Sequence, residues 1–560
     1  MKAKLLGLML CASAMAMAQE ENKGLTLSGS VQSDMMIAPQ TDEAIGAFED
    51  AYDNKYFLTN TYVDVLGQSK YVDFGVRAEL TQWPMPGFND TYNKFKGWGV
   101  PNGWVKAKVI KNTEVTLGTY YEQFGSGFIL RSYEERSLGV DNSILGAKVV
   151  THPFAGVQIK ALSGIQRSYW SWEKNLVSGA DVEFSIEDWF EGMKQSGTRF
   201  DIGASWVNKH ESDDEDVMAD PTHKLRLPAY VNAFDVRAQL QAGSVSVLAE
   251  YARKTGDPNK LNNYTYGEGS AAMLSMSYAN KGLSILAQAK RSENMAMRSK
   301  RSESPLCTAY YINHMPAFTL DQTYALAALY PYATQVEGEW AFQGGLGYNF
   351  KRKTALGGKY GTKVKLNYSL VKGLENNGAT GNIGSNGAGN SFFKMGDTYY
   401  QDLDVQLEKR LSKSFDIHLM YMYQQYNKSI IQHEGTGSIY SNIFIAEGKY
   451  KFDRRFTLRA EAQYLTTKHE SGDWGFGLLE LSVAPYLMFS VSDMIGHSEV
   501  KAGEYGGIAH YYNAAATLNM KSHRIMLSYG RTRAGFNCTG GVCRYVPASK
   551  GLMINYNYNF

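Results

Sequence analysis

Residues of alternating polarity run through the chain from Leu25 to Phe560. Leu25, Leu27, Gly29, Val31, Met35 and Ile37 alternate with Thr26, Ser28, Ser30, Gln32 and Asp34. Val72, Phe74, Val76, Ala78 and Leu80 do the same against Asp73, Arg77 and Glu79. The last stretch puts Leu552, Ile554, Tyr556, Tyr558 and Phe560 on one face and Met553, Asn555, Asn557 and Asn559 on the other. A period of two is the mark of a strand. A strand with one face in lipid and the other in a wet lumen requires it.

The same reading places strands near 25–37, 56–66, 72–80, 103–110, 113–121, 144–151, 155–164, 179–188, 199–208, 230–242, 244–254 and 271–279. Others follow near 282–291, 338–350, 360–371, 400–411, 414–426, 441–453, 454–465, 474–484, 486–493, 508–520, 522–533 and 550–560. Short connections such as Asn280-Lys281-Gly282 and Lys521-Ser522 largely alternate with long polar ones such as Glu375 to Ser391. A soluble sandwich would match any single strand, but not the recurrence from end to end with this alternation of loop lengths. A propeller or β-helix would show a fixed repeat, and there is none. The expected fold is all-β: a transmembrane antiparallel barrel of about 24 strands (22–26), with short periplasmic turns and long extracellular loops.

The N-terminus adds an export signal. Lys2 and Lys4 precede a short apolar stretch from Leu5 to Met15, and Ala16-Met17-Ala18 offers a cleavage site, so residues 1–18 are expected to be removed. No later run reaches the about 20 apolar residues of a spanning helix, so any crossing of a membrane must be by strands. Residues 19–560 then form a single barrel domain. Its first strand begins almost at once, which leaves no room for an N-terminal plug of the TonB-dependent kind. The 38 Tyr, 25 Phe and 9 Trp suit aromatic girdles at two interfaces. A net charge of +2 argues against nucleic acid as a partner.

Candidate chemistry is sparse. Inward faces carry both signs of charge: Asp235, Arg237 and Gln239; Lys363, Lys365 and Asn367; Asp402, Asp404, Gln406 and Glu408; Arg459, Glu461 and Gln463. Pairing across strands, with water, is the favoured reading over an ion-selective ring. Barrels of 16 to 18 strands already leave an aqueous channel, so something must occupy a lumen of this size or the protein conducts. Two segments could do so. In the first, which topology puts on the outer side or folded back into the lumen, Gln123-Phe124-Gly125-Ser126-Gly127 precedes Arg131, Tyr133, Glu134, Glu135 and Arg136, which are either ligand contacts or, the favoured reading, ion pairs that fasten the segment to the wall. Its Gly-Ser-Gly is neither a phosphate loop nor a nucleophile elbow. The second, 292–335, runs from Arg298, Lys300 and Arg301 into apolar Phe318 and Tyr324–Tyr332. It is expected to fold inside as a constriction or plug, or to bind a partner, the alternative being one more hairpin. Cys538 and Cys543 bracket Thr539-Gly540-Gly541-Val542 and suit a small disulfide in an exported protein. Cys307 is left over. The ten His show no ligand spacing, and no cofactor, metal or catalytic set is expected.

Gln123–Gly127, Leu130–Arg136, Leu326–Thr334, Leu356–Val364 and Gly541–Pro547 together resemble an uncharacterised family of outer-membrane barrels from Bacteroidetes. The resemblance implies an outer-membrane location and no activity. Leu552, Ile554, Tyr556, Tyr558 and Phe560 also resemble the C-terminal signal, ending in Phe, by which bacterial barrels are recognised for assembly. The expected partners are therefore outer-membrane lipid and the barrel assembly machinery, with surface lipoproteins or other barrels as further candidates. The expected function is a porin-like channel or solute-capturing barrel. A non-transporting subunit of a larger outer-membrane complex is the alternative, and an outer-membrane enzyme the third.

Overall fold

The computed structural model describes residues 24–47, 55–88, 94–212, 216–305, 307–435, 437–469, 472–497, 507–539 and 542–560. The expected signal at 1–18 lies outside them. Twenty-four strands of the described residues join in one antiparallel sheet, each hydrogen-bonded to its neighbours in the chain. The last strand, Ser549–Asn559, pairs with the first, Leu25–Ile37, with Val31 opposite Tyr558 and Asp34 opposite Asn555. The sheet is thereby closed and has no open edge.

Every interval read from the period-two pattern holds a barrel strand, so the all-β architecture observed is the expected closed antiparallel barrel. The two largest differences are strands that start well before the pattern suggested. The fourth spans Gly97–Ile110 and includes Pro101. Its ladder to Val72–Thr81 shifts register between Arg77 and Glu79, whose partners are Asn102 and Gly99. Val100 and Pro101 thus stand opposite the single residue Ala78, as in a bulge. Their other side is not laddered, because pairing with Thr113–Tyr120 begins at Trp104. A proline with no N–H to give costs little at such a site. The eighth strand runs Ser171–Ser185, joined to Val157–Ser168 by a tight turn in which Ser168 faces Ser171. Residues Ile186–Asp188, read as strand, form a short 3-10 turn instead.

Side chains sort by face. Phe234 and Val236 are more than half exposed on the outside, whereas Asp235 between them is 2% exposed. Tyr71, Tyr348, Tyr450 and Tyr486 are exposed near the short-turn end, and Trp98, Tyr230, Tyr440 and Tyr529 near the other. Amphipathic rings in two belts suit the two interfaces of a bilayer.

The closing seam is packed from outside. Tyr556, Tyr558 and Phe560 lie against Val31 and Val63, and the His523 ring stacks on Tyr558 at 4.3 Å. A glycine is required beneath them: a Cβ on Gly29 would stand 2.4 Å from the Phe560 ring and 2.5 Å from the Asp64 carbonyl. The inner side of the seam is tied by Asn555, whose amide donates to Asp34 at 2.6 Å.

Candidate functional site

The long-loop end of the lumen is occupied by two segments of the chain itself, residues 121–143 and 294–337. In the first, Glu122–Phe124 pairs with Leu130–Ser132, and Glu134–Glu135 with Val140–Asp141. Its apolar core, Phe124, Phe128, Ile129 and Leu130, is fully buried against inward wall residues that include Leu162, Val177, Val207 and Val231. The wall here is apolar where a solvated lumen would be polar, because these positions meet the inserted segment. The Gly-Ser-Gly motif has a concrete role. The Ser126 N–H and hydroxyl donate to the Glu250 carboxylate on the wall, at 3.0 and 2.6 Å. A Cβ on Gly125, which sits at φ +50°, would stand 2.7 Å from that carboxylate.

The Arg-Glu-Glu-Arg cluster lies on the wall beside the seam. Glu134 accepts two bonds from the Arg77 guanidinium, at 2.6 and 2.9 Å, and one from Arg136 at 2.9 Å. Arg136 also reaches Asp64 at 2.9 Å and Gln32 at 3.1 Å, so it touches the first two strands. Arg167 extends the network to Glu79 at 2.7 Å and to Asp141. Arg131 lies over the Tyr133 ring at 4.4 Å, and Glu135 accepts from the Ser137 hydroxyl at 2.6 Å. Burial raises the pKa of Glu134 above its usual range despite the two guanidinium groups. Partly buried bidentate Arg–carboxylate pairs fix geometry more than they add stability.

Among the described residues the second segment has no ladder of its own beyond a single bridge between Arg298 and Tyr311, so the additional hairpin is not formed there. Arg298 organises its first half by donating to the carbonyls of Ser304 and Cys307, at 2.8 and 2.6 Å. Cys307 is buried, and burial pushes its thiol up to about 11. Arg301 pairs with Glu211 at 2.9 Å. In the second half, Leu326, Leu329, Tyr330 and Tyr332 are buried against Met420, Met422, Ile443 and Leu465 of the wall. Tyr324 meets His418 and donates to Glu447 at 3.0 Å.

One lysine clasps both arms of this excursion. Lys290 Nζ donates to the Pro316 carbonyl at 2.6 Å and the Thr334 hydroxyl at 3.1 Å, and pairs with Glu339 at 2.9 Å, both side chains being wholly buried. Glu339 also takes the Gln335 N–H at 3.0 Å and the Tyr332 hydroxyl. A second buried set joins Lys209 to Asp257 at 2.6 Å, with Lys254 at 3.6 Å. Burial alone would raise Asp257, but the two ammonium groups outweigh it and hold the carboxyl below its usual range.

The two segments also hold each other. The Asn313 amide donates to the Phe128 carbonyl at 2.7 Å, Arg131 N–H to Ile312 at 2.8 Å, and His314 N–H to Gly127 at 3.1 Å. Together they form one body inside the wall. Glu250, Lys290 and Glu339, which receive it, are isolated charges on inward faces, and no local motif marked them. The usable signal was a charge preceded by a small residue in the half of a strand nearer the long loops: Ala249 before Glu250, Ala289 before Lys290 and Gly338 before Glu339.

Below this body the inward charges pair along the wall. Arg237 reaches Asp181 at 2.8 Å, Glu183 at 2.9 Å and Asp235 at 3.3 Å. Lys365 reaches Glu408 at 2.6 Å. Cys538 and Cys543 are partners in the small ladder Gly535–Thr539 with Val542–Val546, and the Cys538 side chain lies outside the described residues. Among the described residues no group of three His, Cys, Asp or Glu could hold a metal ion.

A closed antiparallel barrel of 24 strands, apolar outside and charged within, is the architecture of outer-membrane barrels. The chain belongs to a family described as a family of unknown function (DUF6029), whose sequence model matches residues 1–560. No curated protein sequence matches it. Solved structures of other barrels are similar to it at low identity. The P pilus usher (PapC) translocation pore is 9% identical with a TM-score of 0.41, over 96% of this chain and 98% of that one. A mutant ferric enterobactin receptor (PfeA) of Pseudomonas aeruginosa, bound to enterobactin, is 9% identical with a TM-score of 0.43, over 95% and 81%. OccAB3 of Acinetobacter baumannii is 10% identical with a TM-score of 0.35, over 95% and 98%.

Proposed function

We propose that this chain is an outer-membrane, porin-like protein that passes or captures solutes through a lumen restricted by its own loops. The short turns then face the periplasm and the long loops the outside. The observation that carries this reading is the inward packing of residues 294–337 within a barrel of 24 strands. A wall of that circumference encloses more space than its side chains fill, and a segment clasped from the wall sets what remains. The Arg131–Arg136 cluster fastens this arrangement to the wall rather than contacting a ligand. A source in the Bacteroidetes rests on the sequence resemblance alone, and the protein is read as non-enzymatic. Lipid and the assembly machinery are its partners during insertion, and the last strand is the signal that machinery reads.

Conductance in planar bilayers tests the reading. The intact barrel is expected to give small, steady steps, and replacement of residues 317–333 by a short Gly-Ser bridge to enlarge them several-fold. A barrel that stays silent in both forms would sink it. A second reading, a scaffold subunit of a surface complex, is favoured by Phe392 and Phe393, which stand 42% and 82% exposed on a long loop and would suit contact with another protein. A native pull-down in which a partner is recovered in equal amount, from a barrel that does not conduct, decides for it.

The Cys538–Cys543 disulfide belongs to the same proposal, as a loop staple in an oxidising compartment. Alkylation of the denatured mature protein is expected to modify Cys307 alone before reduction and all three remaining cysteines after it. Modification of Cys538 and Cys543 without reductant would remove the staple.

A further inference from the structure

The mouth at the short-turn end carries a concentration of positive charge that the lumenal loops do not use. The connection from Phe350 to Thr362 is the exception among the turns flanking it. It folds back through a Thr354–Gly358 bridge and is pinned by the Thr362 hydroxyl, which donates to the Leu356 carbonyl at 2.8 Å. The shelf so formed overhangs the inner wall and encloses an open cavity of about 780 Å³. Lys281, Lys351 and Arg352 reach it from the turns, and Lys363, Arg410 and Lys449 from the wall.

The carboxylates at the cavity are already engaged. Glu408 is held by Lys365 at 2.6 Å and Lys363 at 3.6 Å. Asp416 is held by Arg410 at 3.3 Å and Lys451 at 3.9 Å, and Glu447 by Arg459 at 3.1 Å. Among the described residues, Lys281, Lys351, Arg352 and Lys449 have no carboxylate within ion-pair distance. A concave, low-dielectric wall with uncompensated charge of one sign concentrates counter-ions from solution. The two guanidinium groups add forked donors that fit planar oxyanions.

We propose that this cavity is a binding site for small polyanions, solutes that carry two or more carboxylate or phosphate groups. The volume lies within the range of small-molecule sites, roughly 300–1,000 Å³. The concavity faces the lumen and receives a compact solute better than an extended chain. Because the cavity is open and wet, the anion keeps part of its hydration and binds through water as well as directly. Binding is therefore weak enough for release, as a transport path requires. The site deepens the solute-handling reading and rests on it for its purpose, though not for its chemistry.

Isothermal titration of the full-length detergent-solubilised barrel with inorganic pyrophosphate, and separately with citrate, tests the site without requiring ion flow. Both are expected to bind at low salt and to weaken as salt rises. A triple variant, Lys281→Asn, Arg352→Gln and Lys449→Gln, should weaken both by roughly tenfold or more, since each charge lost within a few Å of the anion costs at least a large fraction of tenfold. Asparagine tolerates the left-handed backbone at position 281, where φ is +46°. Arg352→Gln alone, on the exposed shelf, gives a smaller loss in the same direction and serves if the triple variant does not fold. Lys70→Gln, Lys111→Gln and Lys194→Gln remove three charges at the same end outside the cavity and should change either affinity less than twofold. Equal losses in the two triple variants, no heat with either probe at low salt, or binding of poly-glutamate but of neither small anion would overturn the site. A sealed barrel that still binds pyrophosphate would refute the channel alone, and a conducting barrel that binds neither probe would refute the site alone.

Discussion

A lysine in place of Ile554 will prevent most of the protein from reaching its folded, heat-modifiable form in the outer membrane. Ile554 lies in the middle of the last strand, with Leu527 opposite on one side and Met35 on the other, and its side chain is on the face that meets lipid. A lysine there costs about 2–4 kcal/mol if it lies near the bilayer midplane. It also breaks the run from Leu552 to Phe560 at the strand that closes the sheet. Asn557→Lys is the matched control, because Asn557 faces the lumen opposite Gln32, and this variant should fold and insert normally. If the two lysines behaved alike, the assignment of faces in the last strand would be wrong.

The second large effect is expected inside. Lys290→Met should leave the Glu339 carboxylate wholly buried without its ammonium partner, a loss of about 3–5 kcal/mol at the clasp. Because the same ammonium holds the Pro316 carbonyl and the Thr334 hydroxyl, the cost falls on the inserted segment rather than on the barrel ladder. Limited proteolysis should cut between residues 316 and 334 in the variant and spare the parent, with heat-modifiable mobility unchanged. Adding Glu339→Gln removes the stranded charge and should restore part of the protection. If Lys290→Met resisted protease as the parent does, the clasp would not hold the segment.

The wall was legible because its code is local. Alternation of period two is written into each strand, and any stretch of about ten residues carries it whole. Where the reading slipped, a second rule overrode the first. The fourth strand, predicted from 103, begins at Gly97, because a bulge beside an unpaired edge removes the penalty for the missing N–H of Pro101. The eighth strand, predicted from 179, begins at Ser171, because a tight turn stands at the long-loop end where a long loop is the rule. The interior was legible only in part. The apolar run from Tyr324 to Tyr332 announced that it needed cover, and Arg131–Arg136 announced charge in search of partners. The partners themselves lie far away in the sequence: Glu134 meets Arg77, Ser126 meets Glu250, and Pro316 meets Lys290. Contacts of that kind are fixed by closure of the barrel, and no period along the chain encodes them.

The seam is the shortest ladder beside the first strand, with eight residue pairs to the last strand against thirteen to the second. A closing ladder this short is a place to look for a lateral gate. Yet Asn555 ties Asp34 across it from within, and Phe560 covers Gly29 from without. Unzipping it would mean breaking both of these contacts as well as parting eight pairs. A seam so fastened keeps the wall closed, and a solute admitted to the lumen would leave along its axis.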